Sequence, residues 1–151
     1  MKRLLLLATA ALAVFAGCNR SGVIDNTGVG GTAGAAGSKS AEPMRIAFGQ
    51  RVNLRDYVVP GRTTIFDFTS YYCPPCRAIA PALHKLHESR ADIVVVEVDL
   101  NRAGIQGIDW QSPVAQQYGM DSIPAFKVYG TDGKLQVEGD EARTFVTGLL
   151  Q

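Results

Sequence analysis

The sequence is poor in several residue types, and each shortage excludes a class of function. Its 151 residues include three cysteines, two histidines and one tryptophan, and the net charge is +1. There is no basic excess of the kind that binds a phosphate backbone, so we expect no nucleic-acid partner. No apolar run reaches the about 20 residues needed to cross a bilayer. With 46% hydrophobic and 19% charged residues, the chain suits one ordinary globular domain.

The longest apolar run lies near the first residue and has the dimensions of a signal peptide. Lys2 and Arg3 precede an apolar stretch over residues 4–16, which ends in Phe15-Ala16-Gly17-Cys18. Small residues before a cysteine resemble a bacterial lipoprotein signal, although leucine is usual where Phe15 stands. We therefore predict removal of residues 1–17 and lipidation of Cys18. The alternative is an ordinary secretory signal cut near Gly17, which leaves Cys18 as a free thiol.

The segment after Cys18 has the composition of a flexible tether. Residues 18–42 are rich in Gly, Ala, Ser and Thr, and large aliphatic residues are few. Such a segment cannot bury a core, and its root-mean-square reach is roughly 25–30 Å. The predicted organisation is a signal peptide over residues 1–17, a lipidated tether over 18–42 and a folded domain over 43–151.

Two cysteines in a C-x-x-C pair carry the clearest chemical signal. Cys73 and Cys76 follow a β-branched run over residues 63–69 and precede a helical pattern over residues 77–88. A cysteine pair between a strand and a helix is typical of a dithiol/disulfide redox centre. We expect Cys73 at the helix start, where free N–H groups favour a thiolate, and a more buried Cys76 as resolving thiol. Pro75 fits the first helical turn, and Pro74 stiffens the residue before it.

Two other roles for the cysteine pair compete with redox chemistry. A tetrahedral zinc site needs four ligands, and the remaining candidates are His84, His87 and Cys18. His84 lies about 12 Å beyond Cys76 along a helix, too far to share a metal with the pair. A purely structural disulfide gains little from closing so short a loop. We expect no metal, and we interpret His84 and His87 as part of a solvated helix face.

The motifs around the cysteines together resemble the thioredoxin family over about residues 44–151. They are Phe66-Asp67-Phe68, Tyr72-Cys73-Pro74-Pro75-Cys76, Pro81, Val98-Asp99 and Ile123-Pro124-Ala125-Phe126. The sequence departs from thioredoxin itself in three ways. Tyr72 replaces the usual tryptophan, the dipeptide between the cysteines is Pro-Pro instead of Gly-Pro, and the segment between Asp99 and Pro124 is longer.

The resemblance implies an α/β thioredoxin fold with a central mixed β-sheet of about 4–5 strands and helices on both faces. It also implies a cis Ile123–Pro124 bond beside the cysteines, in a groove for extended substrates together with Tyr72, Pro74 and Pro75. The residue pattern itself predicts strands over 44–48, 63–69, 93–98, 126–129 and 134–137, and helices over 53–58, 77–88, 114–118 and 141–150. For residues 44–58 the alternative is irregular edge structure. In the last helix we expect Asp140 as the cap and Phe145 and Leu149 inward, with Val146 as a further candidate.

Asp67 and Trp110 are the remaining site candidates. A carboxylate in a core strand is costly unless it is paired or kept protonated, and the family resemblance favours Asp67 as a buried acid that exchanges a proton with Cys76. The alternative is an aspartate that caps nearby backbone or faces water. Trp110 lies in a loop predicted to leave its strand at the edge where Cys73 sits. It is either an aromatic contact for partners or a lid on the core.

The sequence thus predicts a thiol–disulfide oxidoreductase, lipid-anchored on the exported side of a bacterial membrane. We expect cysteine-containing exported proteins as substrates, a membrane redox partner that resets the dithiol, and no bound cofactor. Resemblance to anchored members that keep exported thiols reduced favours a reductant. The alternatives are a disulfide oxidant or isomerase, and a non-enzymatic chaperone or Cu(I) carrier that uses Cys73 and Cys76.

Overall fold

A computed structural model of the protein describes residues 39–151. The predicted signal peptide, Cys18 and most of the predicted tether lie outside these residues. Within the described part, no helix combines the length and apolar character that a membrane crossing requires.

Five strands form a mixed sheet in the order β1-β3-β2-β4-β5. The strands are β1 (Met44–Ile46), β2 (Thr63–Thr69), β3 (Ile93–Asp99), β4 (Ala125–Tyr129) and β5 (Leu135–Glu138). β3 pairs in parallel with β1 and β2, whereas β4 pairs antiparallel with β2 and β5. The apolar, β-branched residues of β2 and β3 are buried almost throughout, as expected for central strands covered on both faces. The predicted mixed sheet is confirmed.

Helices cover both faces of the sheet. They are α1 (Pro74–Ser89), α2 (Pro113–Tyr118) and α3 (Gly139–Leu149), with a short 3-10 helix at Leu54–Tyr57. On one face, α1 and α3 pack on a core that includes Ile65 and Val95. On the other face, the 3-10 helix and α2 pack on a core that includes Phe66 and Phe68. Alternate residues of β2 thus enter different cores, as the strand period requires.

β1 ends earlier than predicted because the backbone after Ile46 enters the left-handed region of positive φ. Ala47 and Phe48 have φ of 74° and 47°, and Gly49 follows at 78°. Gly49 is needed here, since a Cβ at this position would lie 2.6 Å from the Arg102 nitrogen. Its N–H donates to the Asp99 carbonyl at 2.9 Å, which ties this turn to the end of β3. The predicted strand over 44–48 therefore stops at Ile46.

α3 begins at Gly139, before the predicted start, and its inward face differs from the prediction. Asp140 lies in the first turn and is not the cap, which is Glu138 without a side-chain hydrogen bond. Ala142 and Val146 are buried, whereas Phe145 is 43% exposed. Neighbouring helical residues point about 100° apart, so a stripe through Val146 turns Phe145 outward. The inward assignment of Phe145 was wrong.

His87 is buried, which contradicts its assignment to a solvated helix face. Its Nδ1 accepts the Val95 N–H at 3.0 Å, so in the neutral ring Nε2 carries the hydrogen and donates to the Ser40 carbonyl at 3.0 Å. Burial lowers the pKa of His87, because the charged ring is penalised away from water. Lys39 donates to the carbonyls of His87, Arg90 and Ile93. The last residues of the predicted tether thus contact the end of α1.

Candidate redox site

The cysteine pair occupies the start of α1, directly after the turn that follows β2. Cys73 is the N-cap residue and both prolines lie in the first helical turn. Proline is favoured there because the first N–H groups of a helix have no intrahelical partner. Pro74, expected just before the helix, is its first residue. The helix therefore starts within the C-x-x-C motif, and Cys76 lies in its first turn.

Cys73 and Cys76 form a disulfide, with an S–S distance of 2.05 Å and a Cα–Cα distance of 5.3 Å. The Cys76 N–H points to the Cys73 sulfur at 3.2 Å. Once the bond is reduced, the same N–H and the helix dipole can stabilise a thiolate on Cys73. Exposure does not distinguish the two residues, since Cys73 is 2% and Cys76 1% exposed. Position on the helix, not burial, favours Cys73 as the nucleophile.

The loop before β4 lies against the disulfide. The Ile123 carbonyl oxygen is 3.7 Å from the Cys73 sulfur. The Ile123–Pro124 bond is cis, which confirms the expectation from family resemblance. Tyr72, Pro74 and Pro75 are exposed beside the buried sulfurs. Residues far apart in the sequence thus form one surface around the disulfide.

Two further residues on this surface, Tyr71 and Arg77, were not identified as site candidates from the sequence. Tyr71 is 68% exposed. Its ring meets Tyr72 edge-on, with centroids 5.6 Å apart, and the Arg77 guanidinium lies 5.6 Å from its centroid. Arg77 directly follows the C-x-x-C motif and Tyr71 lies two residues before it, and that proximity was the available signal. They add an aromatic and cationic edge to the disulfide surface.

Asp67 lies on the face of β2 that α1 covers, because it is two residues after Ile65, which belongs to that core. The residue is 1% exposed. Among the residues that the structure describes, its Oδ1 has no hydrogen-bond partner. The pKa of Asp67 is raised from 3.8 to about 7, first by burial and then by the charge of Glu97, with Arg45 opposing. Such a carboxyl can take up or release a proton near neutral pH, and it does not face water.

Among the described residues, no additional metal ligands are grouped with the cysteine pair. Over residues 39–151, no three His, Cys, Asp or Glu side chains are grouped to hold a metal ion. What the geometry offers is a disulfide at a helix start, a neighbouring backbone carbonyl and a buried titratable carboxyl. This combination suits dithiol–disulfide exchange.

The family model described as Thioredoxin matches residues 47–148. The chain belongs to the thioredoxin family. Among curated relatives, it is 34% identical over 71 residues to Thioredoxin H-type of Brassica oleracea, which covers 47% of this chain and 51% of that one. It is 32% identical over 74 residues to Thioredoxin of Streptomyces clavuligerus, covering 49% of this chain and 62% of that one. The chain thus spans about half the length of the first of these relatives.

Solved structures support the fold of this thioredoxin-family protein. A chain from the complex of ferredoxin:thioredoxin reductase and thioredoxin f2 matches with a TM-score of 0.53 and 21% identity, over 74% of this chain and 96% of that one. A mutant thioredoxin from Halobacterium salinarum NRC-1 matches with a TM-score of 0.52 and 18% identity, over 77% and 97%. At these identities the likeness shows the fold.

The loop after β3 adjoins the disulfide surface, at the edge where the sequence placed it. The Leu100 N–H donates to the Thr69 carbonyl at 3.0 Å. The Ser70 hydroxyl donates to Asn101 Oδ1 at 2.6 Å and accepts the Tyr72 N–H at 3.1 Å. Ser70 and Asn101 were not singled out from the sequence, because their pairing depends on strand order. They link this loop to the turn before Cys73.

A bidentate ion pair between Arg102 and Asp109 stabilises the conformation of the same loop. Arg102 donates through Nε to Asp109 Oδ2 at 2.7 Å and through Nη2 to Oδ1 at 3.0 Å. The hydrogen bond from Arg102 holds the pKa of Asp109 below its ordinary value. Asp109 therefore stays ionised and directly precedes Trp110, whose backbone is further held by Gln116 donating to its carbonyl at 2.8 Å. The loop is braced at both of its ends.

Trp110 packs against the core cluster that contains Phe66 and Phe68, and it stays partly exposed. This packing agrees with the alternative in which Trp110 is a lid on the core, whereas its role in partner docking stays a prediction. We expect Trp110→Ala to lower the free energy of unfolding by about 2 kcal/mol, because part of a large aromatic side chain leaves the core. Exchange with a small disulfide should be unchanged. Thermal unfolding and stopped-flow exchange measure the two effects.

The control for this loop is Ile105→Ala, since Ile105 is 40% exposed in the same segment. It should leave stability within about 0.5 kcal/mol of the wild type. A Trp110→Ala protein of wild-type stability that reacts slowly with protein disulfides, but normally with small ones, contradicts the lid interpretation and supports docking.

Proposed function

We propose that this thioredoxin-family protein is a thiol–disulfide oxidoreductase that reduces disulfides of exported proteins. The observation that carries the proposal is the Cys73–Cys76 disulfide at the start of α1, beside the Ile123 carbonyl. Curated relatives that share part of this domain are thioredoxins. Family membership and site geometry support the same chemistry.

The first step is attack by the reduced protein on a substrate disulfide. The Cys73 thiolate attacks one sulfur of the substrate, which forms a mixed disulfide and releases the other sulfur as a thiolate. The released thiolate takes a proton from water. The Cys76 N–H aimed at the Cys73 sulfur and the helix dipole favour the attacking thiolate. Exposed Tyr72, Pro74 and Pro75 offer the surface on which the substrate chain lies.

The second step releases the substrate. Cys76 gives its proton to the Asp67 carboxylate and attacks the Cys73 sulfur, so the protein disulfide forms and the second substrate thiolate leaves. Two electrons pass from the protein dithiol to the substrate disulfide, and the leaving thiolate is protonated. Asp67 suits this task because its pKa, raised to about 7 by burial, allows both proton uptake and release near neutral pH.

A dithiol donor must then reduce the Cys73–Cys76 disulfide, and no bound cofactor takes part. One fold neighbour comes from a complex that contains ferredoxin:thioredoxin reductase. By analogy we propose a protein dithiol donor for this chain, and outside the cytoplasm that donor is a membrane protein. It returns two electrons and two protons by the reverse of the same exchange.

Export and anchoring are part of the proposal and rest on the first residues of the sequence. A basic start, an apolar run over residues 4–16 and small residues before Cys18 support a lipoprotein signal. A lipid on Cys18 and the tether after it would hold the domain near a bacterial membrane, on its exported side. The tether's reach of roughly 25–30 Å lets the domain meet membrane-bound partners.

The test is a redox titration of the full chain, purified in detergent and equilibrated with glutathione buffers. Thiol trapping and mass spectrometry then give the reduction potential of the Cys73–Cys76 pair. We expect about −270 mV, near thioredoxin, together with catalysed reduction of insulin by dithiothreitol. A value near about −120 mV reverses the proposed direction and indicates an oxidant.

A pair that fails to equilibrate with any thiol contradicts the enzymatic proposal. Stoichiometric Cu(I) binding by the reduced protein without exchange then supports a metal carrier. The Glu88→Gln protein is a suitable control preparation, because Glu88 lies on the exposed face of α1. It should have the wild-type potential.

A further inference from the structure

A row of charged side chains crosses the sheet directly beside Asp67. In the strand register, Arg45 of β1 pairs with Glu97 of β3, and Glu97 pairs with Asp67 of β2. Paired positions on neighbouring strands share a face, so all three belong to the face covered by α1. Two carboxylates thus lie side by side within the sheet, with one arginine at the end of the row.

Glu97 uses both of its carboxylate oxygens. Arg45 donates to Oε2 through Nε at 2.8 Å and also through Nη2 at 2.8 Å. His84 of α1 contacts Oε1 through Nε2 at 2.8 Å. Glu97 is 6% exposed, and both oxygens of its carboxylate are engaged by Arg45 and His84.

Arg45 forms its ion pairs with Glu97 and Asp99, not with Asp67. Besides Glu97, its Nη1 lies 3.3 Å from Asp99 Oδ2. Asp67 therefore lies next to a fixed negative charge and has no ion pair of its own among the described residues. Ionisation of Asp67 places two buried negative charges side by side, and a low-dielectric interior strengthens their repulsion.

We propose that Glu97, held by Arg45 and His84, is a positioning residue that sets the pH at which Asp67 accepts a proton from Cys76. The groups that act on Asp67 are then Glu97 from β3, Arg45 from β1, Asp99 through Arg45, and His84 from α1. Glu42, before β1, lies 3.1 Å from His84 Nδ1 and completes the set. The inference rests on the proposed exchange chemistry, and it assigns its proton control to residues outside the cysteine motif.

Substitutions of Glu97 and of Arg45 are predicted to have opposite effects on the pKa of Asp67. Glu97→Gln removes the neighbouring negative charge and frees Arg45 to act on Asp67, so the pKa of Asp67 falls. Arg45→Gln removes the opposing positive charge, so the pKa of Asp67 rises. We expect each variant to move the titration midpoint by about one pH unit, in opposite directions. A merely structural disturbance of the sheet has no reason to produce opposite signs.

The experiment follows the Asp67 carboxyl directly. The full chain, labelled with carboxyl-¹³C aspartate and oxidised, is titrated by NMR, with Asp67→Asn used to assign the resonance. Glu88→Gln is the matched control, because it removes one carboxylate from the exposed face of α1. Equal midpoints in wild type, Glu97→Gln and Arg45→Gln overturn the proposal, and so do shifts of the same sign. If Glu97→Gln does not fold, Arg45→Gln alone must raise the midpoint.

A second readout separates this inference from the proposed function. In the reduced protein, the pH profile of exchange with a small disulfide should move with the Asp67 midpoint in each variant. A wild type that performs no exchange refutes the proposed function, while the NMR titration still decides whether Glu97 controls Asp67. A wild type that exchanges, with NMR midpoints that shift and a pH profile that does not, refutes the proton transfer between Asp67 and Cys76.

Discussion

Cys73→Ser is expected to abolish catalysed disulfide exchange, leaving only the uncatalysed rate between the reductant and the substrate. The reason is that Cys73 carries the sulfur at which the Cys76 N–H and the start of α1 are aimed. A serine hydroxyl in the same place stays protonated and cannot form a mixed disulfide. Insulin reduction by dithiothreitol, followed as turbidity, measures the loss.

Cys76→Ser separates the two cysteine roles. With the nucleophile intact and the resolving thiol absent, the protein should accumulate a mixed disulfide with its substrate, visible as a mass increase that dithiothreitol removes. Cys73→Ser should trap nothing. If Cys73→Ser traps the substrate and Cys76→Ser does not, then Cys76 is the nucleophile and Cys73 is the resolving cysteine. Thermal unfolding of the reduced proteins, compared with reduced wild type, checks that each variant is folded.

Asp67→Asn is expected to stabilise the protein above pH 7 and to leave it unchanged at pH 4. The folded-state pKa of Asp67 is about 7, raised from 3.8 first by burial. The fold therefore binds this proton more tightly than the unfolded chain does. Its contribution to stability is complete below the unfolded pKa and is lost as pH rises towards and through 7. The loss amounts to about 4 kcal/mol in wild type, and asparagine does not suffer it.

Urea unfolding of the oxidised proteins between pH 4 and pH 8.5 measures this difference. Other carboxylates titrate in both proteins, so the quantity to plot is the free energy of unfolding of Asp67→Asn minus that of wild type. The difference should rise between pH 4 and pH 7 and then level off. Asp121→Asn, a neutralisation at an exposed position, should give a flat difference. A flat difference for Asp67→Asn as well indicates that Asp67 has an ordinary pKa.

Sequence patterns predicted the parts of the fold in which local preferences and burial agree. β2 and β3 are runs of β-branched and aromatic residues, and both appear at the predicted positions. α2 lies close to the predicted range of 114–118, and Ser112 and Gly119 bound it, since a hydroxyl cap and a left-handed glycine are local signals. The cysteine pair falls in the same class, because a C-x-x-C at a strand–helix junction needs few residues to specify.

Side-chain environments that depend on distant contacts were harder to predict. His87 looked like a surface residue beside His84, yet a hydrogen bond from Val95 and contact with Ser40 bury it. Phe145 looked like a core residue, yet Ala142 and Val146 face the sheet and leave Phe145 exposed. In both cases the helical period was clear, and which face met the sheet depended on packing.

The sequence by itself determined the thioredoxin-family motif, the order of strands and helices, and the residues that carry sulfur chemistry. These follow from short-range spacing, from the period of apolar residues and from the small number of cysteines. The tertiary structure alone brought Ile123 to the Cys73 sulfur and set Glu97 beside Asp67. Those neighbours come from strands and loops far apart in the chain, and only the sheet order and register make them adjacent. The proton chemistry of Asp67 is therefore a property of the folded sheet.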